Sequence, residues 1–385
     1  MERRHDIDAL RGLLLVLMLL THLPTRLTMA MGQPLGFVSA AEGFVLLSAW
    51  MSGLVYGRPD GRLGQPAMPY MRQAFWRRAF QLYGYQVALL LFLFTAVAAI
   101  GMRTAQPAIT NMLGFYQQAP AEAAASALLL IYQPPLLDIL PLYVVFLLLS
   151  PGLLAAAHRH GWRPVLGLSL LIWLLTQFGL SEIIYAAASA VLPISVPYAD
   201  SGAFSIWAWQ FIWVLGLWLG ASLHHPEQAA QVDPNQLPRW MLAAAAAIVL
   251  IGFAWRHTIG QNPFGTDTTL NLLFDKWRLG PLRLINLCAL MLLTMRYGPA
   301  LAARLPRQRW LEQLGAASLQ VFCAHLVLVL VLLALLGDHY LHANWRGQAG
   351  EGHADDPLAW IDLGDLWMLV LSLGVMILVA RARRR

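Results

Sequence analysis

The chain has 385 residues, 58% of them apolar and only 12% charged, with a mean hydropathy of +0.58. A soluble domain carries about a quarter charged residues, so this composition excludes an ordinary soluble protein and points to an integral membrane protein. The net charge of +6 is no signal for nucleic acid, because the basic residues are spread among loops instead of pooled in one patch.

Apolar runs recur from end to end, and no polar stretch is long enough for a separate soluble domain. The reading is one membrane domain over 1–385. Cys288 and Cys323 both fall in apolar runs and show no metal-ligand spacing or disulfide framework, so they read as small core residues. Arg3 and Arg4 precede an apolar run with no small-residue cleavage site after it, which reads as a first span and not a removable signal.

A helix needs about 20 apolar residues to cross the hydrocarbon. In chain order, spans are expected near 9–28, 37–57, 79–101, 136–157, 164–180, 204–223, 240–257, 282–297, 315–337 and 366–381. The segment 121–132 is apolar but short, and Pro134 and Pro135 follow it, so it reads as a re-entrant or interfacial helix. The expected fold is therefore all-α: a polytopic bundle of about ten transmembrane helices.

The basic residues test that count. With the N-terminus inside, Arg3, Arg4, Arg58, Arg62, Arg72, Arg77, Arg78, Arg159, Arg163, Arg239, Arg296, Arg304, Arg307, Arg309 and the four arginines of the RARRR tail fall on the inner side. The outer side holds Arg26, Arg103, Arg256, Lys276, Arg278, Arg283 and Arg346, and its last loop is acidic. The positive-inside rule thus puts both termini in the cytoplasm. Of the 26 basic residues, only Lys276 is a lysine. No internal repeat and no inverted pair of broken helices is evident, which weighs against a secondary transporter.

The first span, RGLLLVLMLLTH, begins with Arg11 and ends with His22. Eleven residues at 100° each make nearly three whole turns, so both side chains share one helical face, about 16 Å apart along the axis. Asp8 lies one turn before Arg11, placed for an i,i+3 ion pair. Arg11 either snorkels to the cytoplasmic boundary or lines a cavity, and His22 is either interfacial beside Pro24 or functional. Two ionisable residues on one face favour a protein-lined cavity. In the second span, GFVSAAEGFVLLSAW, Glu42 interrupts an apolar helix at a depth matching His22. Glu42 is either a hydrogen-bonded link between helices or a carboxylate that fixes the imidazole tautomer.

The spacing of arginine, ten residues and histidine in a first membrane helix resembles the acyltransferase family 3 membrane proteins. More specifically, several stretches resemble the OpgC family, the succinyltransferases of osmoregulated periplasmic glucans. They are DIDALRGLLLVLMLLTH, GFVSAAEGFVLLSAWMSGLVYG, YMRQAFWRRAFQLY, DILPLYVVFLLLSP, AWQFIWVLGLWLG, DKWRLGPLRLINLCAL and LGAASLQVFCAHL, running in family order from residue 6 to about 330. Ala49 departs from the glycine expected after Ser48, exchanging one small residue for another.

The resemblance implies an acyl-CoA-dependent O-acyltransferase of the bacterial inner membrane. Its donor would be cytoplasmic acyl-CoA, with succinyl-CoA the expected substrate, and its acceptor the hydroxyls of a periplasmic glucan. No bound cofactor and no metal is expected. His22 would be the general base for the attacking hydroxyl, with Glu42 as its orienter. Arg11, Arg72, Arg77 and Arg78 would clamp the CoA phosphates, unless the last three only anchor the inner boundary. Asp138, Tyr143, Trp209, Gln210, Arg283 and Asn286 lie at outer-leaflet depth and are acceptor or cavity candidates, or else links between helices. His325, in the ninth span, is a further candidate, and His339, His342 and His353 have a spacing open to metal or to solvated loop residues. From a different class, the competing reading is a transporter of a glycan or acyl carrier with Arg11, His22 and Glu42 as a proton relay.

Overall fold

The structure, a computed structural model, describes residues 5–25, 27–57, 67–104, 106–224, 226–337 and 363–383. Every regular element among them is helical. The longer ones are α1 (His5–His22), α2 (Ala40–Tyr56), α3 (Ala67–Phe92), α4 (Ile139–His160), α5 (Trp162–Gln177) and α6 (Leu180–Val191). They continue with α7 (Ile206–Ser222), α8 (Arg239–Thr258), α9 (Pro281–Arg304), α10 (Arg309–Ala316), α11 (Ser318–Leu336) and α12 (Leu363–Ala382). Arg3, Arg4, Arg58, Arg62, the end of the RARRR tail, and the loop bearing His339, His342 and His353 lie outside the described residues.

Among the described residues, six helices are long and apolar enough to cross a membrane: α3 with its continuation to Thr104, α4, α8, α9, α11 and α12. The bent pair α5 and α6 makes a seventh if it is one span. The other three expected spans are present as helices but differ in kind. α2 and α7 are apolar yet short, and α1 carries Asp6, Asp8 and Arg11 in its first two turns.

Several elements differ from the sequence expectation: α1 ends at His22 and not near 28, and α9 runs on to Arg304. The span expected over 164–180 ends at Gln177, and the chain turns by 83° into α6. Gly179 makes that turn at φ 94°, a left-handed conformation open to a residue without Cβ. The span expected from 315 is divided at Ala317, where α10 ends and α11 begins. α3 passes through a π-helical turn at Leu93–Val97, and Tyr116 donates to the displaced Phe94 carbonyl at 3.1 Å. The segment expected to be re-entrant is a short helix, Pro120–Leu128, followed by irregular backbone with Leu130 and Leu136 at positive φ.

Close backbone contacts hold the bundle. α2 and α7 meet along Ala49 and Gly53 on one helix and Gly216 and Gly220 on the other. A methyl group at Gly220 would overlap the Trp50 carbonyl, so small residues set this approach, as they do in membrane helix pairs generally. Ala49 is buried with its own methyl against Gly216, so a small residue is what the position needs. α1 meets α10 the same way, with Gly12 on the Leu311 carbonyl and Gly315 on that of Asp8. These two crossings fix the first two helices around a common cavity.

Candidate active site

A cavity of about 310 Å³ opens between α1, α2, α3, α4, α7 and α11. Its polar lining is Arg11, Ser48, Ser52, Tyr56, Arg78, Tyr143 and Ser318, set among Phe44, Phe75, Trp213 and Phe322. Arg11 reaches α11, donating to the Ser318 hydroxyl at 2.5 Å, and its guanidinium lies 6.0 Å from the Phe44 ring centre. Its Nε is buried without a hydrogen-bond partner. Arg78 stands at the junction with a second groove of about 440 Å³ that holds Tyr56, Tyr70, Arg77 and Gln81. It donates to Gln81 Oε1 at 2.8 Å. Of the four arginines proposed from sequence, Arg11 and Arg78 line the cavity and Arg77 the groove. Arg72 lines neither, being exposed with its guanidinium 5.0 Å from the Trp76 ring.

Beyond the cavity lies a histidine pair. His22 at the end of α1 places its Nδ1 3.0 Å from Nε2 of His325 on α11, with the rings 5.3 Å apart and tilted by 11°. Phe322, one turn before His325 and part of the cavity wall, packs edge-on to that ring at 4.9 Å. A hydrogen bond between two imidazole nitrogens needs one N–H and one lone pair, so the contact ties the two tautomers together.

Glu42 does not join this pair, contrary to the expectation that it orients His22. Its carboxylate is wholly buried and forms an ion pair with the guanidinium of Arg283, itself 1% exposed. The other oxygen accepts the Ser39 backbone N–H at 3.0 Å and the Ser39 hydroxyl. The reason is local. Glu42 is the third helical residue after the N-cap Ser39, so one oxygen reaches back to the cap while the other meets the buried Arg283 guanidinium.

A family model described as OpgC protein matches residues 3–349. The chain belongs to the OpgC family. A search of curated proteins found no match, and a search of solved structures found none. Family membership points to a transferase role connected with glucans, and the apolar helices to a membrane protein.

The remaining candidates of this OpgC-family chain divide between cavity wall and scaffold. Tyr143 lines the cavity and donates to Ser48 Oγ at 3.3 Å. Asp138, just before α4, accepts the Ala203 N–H at 3.2 Å. Trp209 is buried and donates to the Trp277 carbonyl at 3.1 Å. Gln210 exchanges hydrogen bonds with Ser169 of α5, at 2.6 and 2.7 Å. Arg283 also donates to the Phe274 carbonyl at 3.1 Å, and Asn286 accepts the Phe37 N–H at 2.9 Å. None of these five scaffold residues lines the cavity. Among the described residues, no group of three or more His, Cys, Asp or Glu side chains is placed to hold a metal.

Sequence reasoning passed over Ser48, Trp213 and Ser318, which line the cavity, and Lys276, in the loop before α9. The Lys276 ammonium lies 4.8 Å from the Trp277 ring centre and 5.7 Å from that of Phe204. Burial holds its pKa below the ordinary lysine value, against the raising pull of Glu42 and Asp138. Its being the single lysine in the chain is the signal that was available.

Proposed function

We propose that this OpgC-family protein is an inner-membrane O-acyltransferase that moves a succinyl group from cytoplasmic succinyl-CoA to hydroxyls of a periplasmic glucan. In the same proposal the helices make ten spans with both termini cytoplasmic, an arrangement supported by the distribution of arginines. The observation that carries the reading is one cavity with the guanidinium groups of Arg11 and Arg78 in its wall and the His22–His325 pair just past Phe322.

The chemistry follows from that order. The CoA phosphates take the groove of Arg77 and Arg78, since guanidinium groups bind phosphate through paired N–H donors. The acyl chain and its thioester enter the largely apolar cavity. The sugar hydroxyl arrives from the outer side, and its oxygen attacks the thioester carbonyl as the bare nitrogen of His22 takes its proton. The C–O bond forms, the C–S bond breaks, and the same proton passes to the departing CoA thiolate. His325 holds His22 in the tautomer that leaves Nε2 as the acceptor. Glu42 acts one step removed, by neutralising Arg283 and capping α2 beside the pair.

The test is incubation of the purified protein in detergent with succinyl-CoA and a glucan, followed by mass spectrometry of the glucan. Addition of succinyl groups by the wild type and none by His22→Ala supports the reading. Glucan left unmodified by the wild type with every acyl-CoA supplied overturns it.

A further inference from the structure

The cavity and the histidine pair are neighbours, yet they are not joined. Neither His22 nor His325 lines the cavity of about 310 Å³. Phe322 stands between them. It belongs to the cavity wall, is 4% exposed, and packs edge-on to the His325 ring at 4.9 Å. Helical spacing puts it there. Ser318, which holds Arg11, and Phe322 lie four residues apart on α11, and both line the cavity. His325 follows three residues after Phe322, so the same face passes from cavity wall to histidine within one further turn. His325 is 1% exposed. His22 is only half-buried, and because it is absent from the cavity lining, its accessible part opens elsewhere than into the donor space. One aromatic ring therefore partitions two spaces, with the donor on one side and the base on the other.

Resting on the transferase reading above, we propose that Phe322 determines specificity for the acceptor: its ring bars the thioester from the histidine pair until a glucan is in place, so that the acyl group goes to a sugar hydroxyl and not to water. Apolar closure that keeps water from a reactive group is a general device of active sites. Rotation about its own side-chain bonds moves the ring without disturbing α11. Binding of a glucan supplies free energy for that displacement, and a water molecule brings none. Without the barrier, water is the competing nucleophile. Its oxygen attacks the thioester carbonyl as His22 takes its proton, the C–O bond forms and the C–S bond breaks. The proton then passes to the CoA thiolate, leaving free acid and CoA thiol.

The experiment measures two reactions in one preparation, hydrolysis of succinyl-CoA without acceptor and acyl transfer to glucan, in wild type, Phe322→Leu and Phe322→Ala. Taking their ratio cancels the fraction of folded protein. The wild type should transfer far faster than it hydrolyses. The ratio of hydrolysis to transfer should rise from wild type through Phe322→Leu to Phe322→Ala, by about tenfold or more for the last. Adding His22→Gln to Phe322→Ala should return hydrolysis to background. A ratio unchanged in both variants, or loss of both reactions together, would overturn the proposal and leave Phe322 as packing for His325. Hydrolysis that persists with His22→Gln, or a wild type that hydrolyses as fast as it transfers, would overturn it too. A wild type with no transfer to glucan would instead overturn the transferase reading itself.

Discussion

His22 and His325 come from helices 303 residues apart in sequence yet share a hydrogen bond of 3.0 Å between Nδ1 and Nε2. That contact decides which nitrogen of His22 is free to act. With the proton on Nδ1 and donated to His325, Nε2 keeps its lone pair; with the proton supplied by His325, Nε2 carries a hydrogen and is no base. His325 is therefore a positioning residue whose loss should differ in kind from the loss of His22.

Replacing His22 by Ala or Gln should lower turnover by about 10²–10⁴, the usual contribution of a general base. Gln fails because an amide holds a hydrogen bond but does not take the proton. His325→Gln retains an acceptor for the Nδ1 hydrogen and should keep much of the activity. His325→Ala removes the acceptor and should cost on the order of 10–100-fold, the scale of losing the partner that orients a metal-ligating imidazole. The check is acyl transfer normalised to folded protein, with kcat affected more than KM for acyl-CoA. Equal activity in His325→Gln and His325→Ala would deny it an orienting role.

The arginines make a graded series. Arg78 lines both the cavity and the groove, Arg77 only the groove, and Arg72 neither. Each charge-assisted contact is worth about 1.5–3 kcal/mol, so Arg77→Ala with Arg78→Ala should raise KM for acyl-CoA by tens-fold or more. Arg72→Ala should leave KM nearly unchanged. Steady-state kinetics on the double variant and on Arg72→Ala separate phosphate binding from boundary anchoring, because anchoring predicts no difference between Arg72 and its neighbours.

Helical arithmetic within one element is legible in the sequence, and geometry between elements is not. The spacing of Arg11 and His22 places both on one face of α1, where one meets the cavity and the other the histidine pair. Glu42 shows the limit. Depth puts it level with His22, but depth says nothing of azimuth, and the carboxylate turns toward Arg283 instead. The SAAE pattern was the available clue, since Ser followed three residues later by Glu marks a helix start. His325 stayed unassigned because α11 is apolar all round, so its sequence does not tell which face meets α1. The division of α10 from α11 at Ala317 was hidden for a related reason: Ala317 is itself no helix breaker, and the close approach of Gly315 to the Asp8 carbonyl of α1 is a contact between elements.

The arginine distribution also makes a topological forecast. Cysteine substitutions at residues 58–66 should react with a membrane-impermeant maleimide only after the inner face is opened, and substitutions at 345–355 should react from outside. The native thiols interfere little, since Cys323 is buried and Cys288 mostly so. Labelling of 345–355 only from the inner face would reverse the orientation and put the His22 pair on the cytoplasmic side.

The Glu42–Arg283 pair yields the sharpest contrast between scaffold and catalyst. Both side chains are essentially sealed from solvent, so removing one leaves the other as an unpaired buried charge or an unsatisfied donor. Such a change typically costs about 3–5 kcal/mol, whereas replacing both partners by neutral groups of similar volume is often close to neutral. Glu42→Gln and Arg283→Met should therefore each lower the unfolding temperature markedly in detergent, and the double variant should recover a large part of the loss. Glu42→Gln also weakens the acceptor for the Ser39 N–H, so recovery should be incomplete. Were Glu42 the direct partner of His22, its variant would instead lose turnover with little loss of stability, and Arg283→Met would be silent in both. A thermal-unfolding series on the four proteins, read beside their turnover, distinguishes the outcomes: additive destabilisation in the double variant would mean that the two residues do not act as a pair.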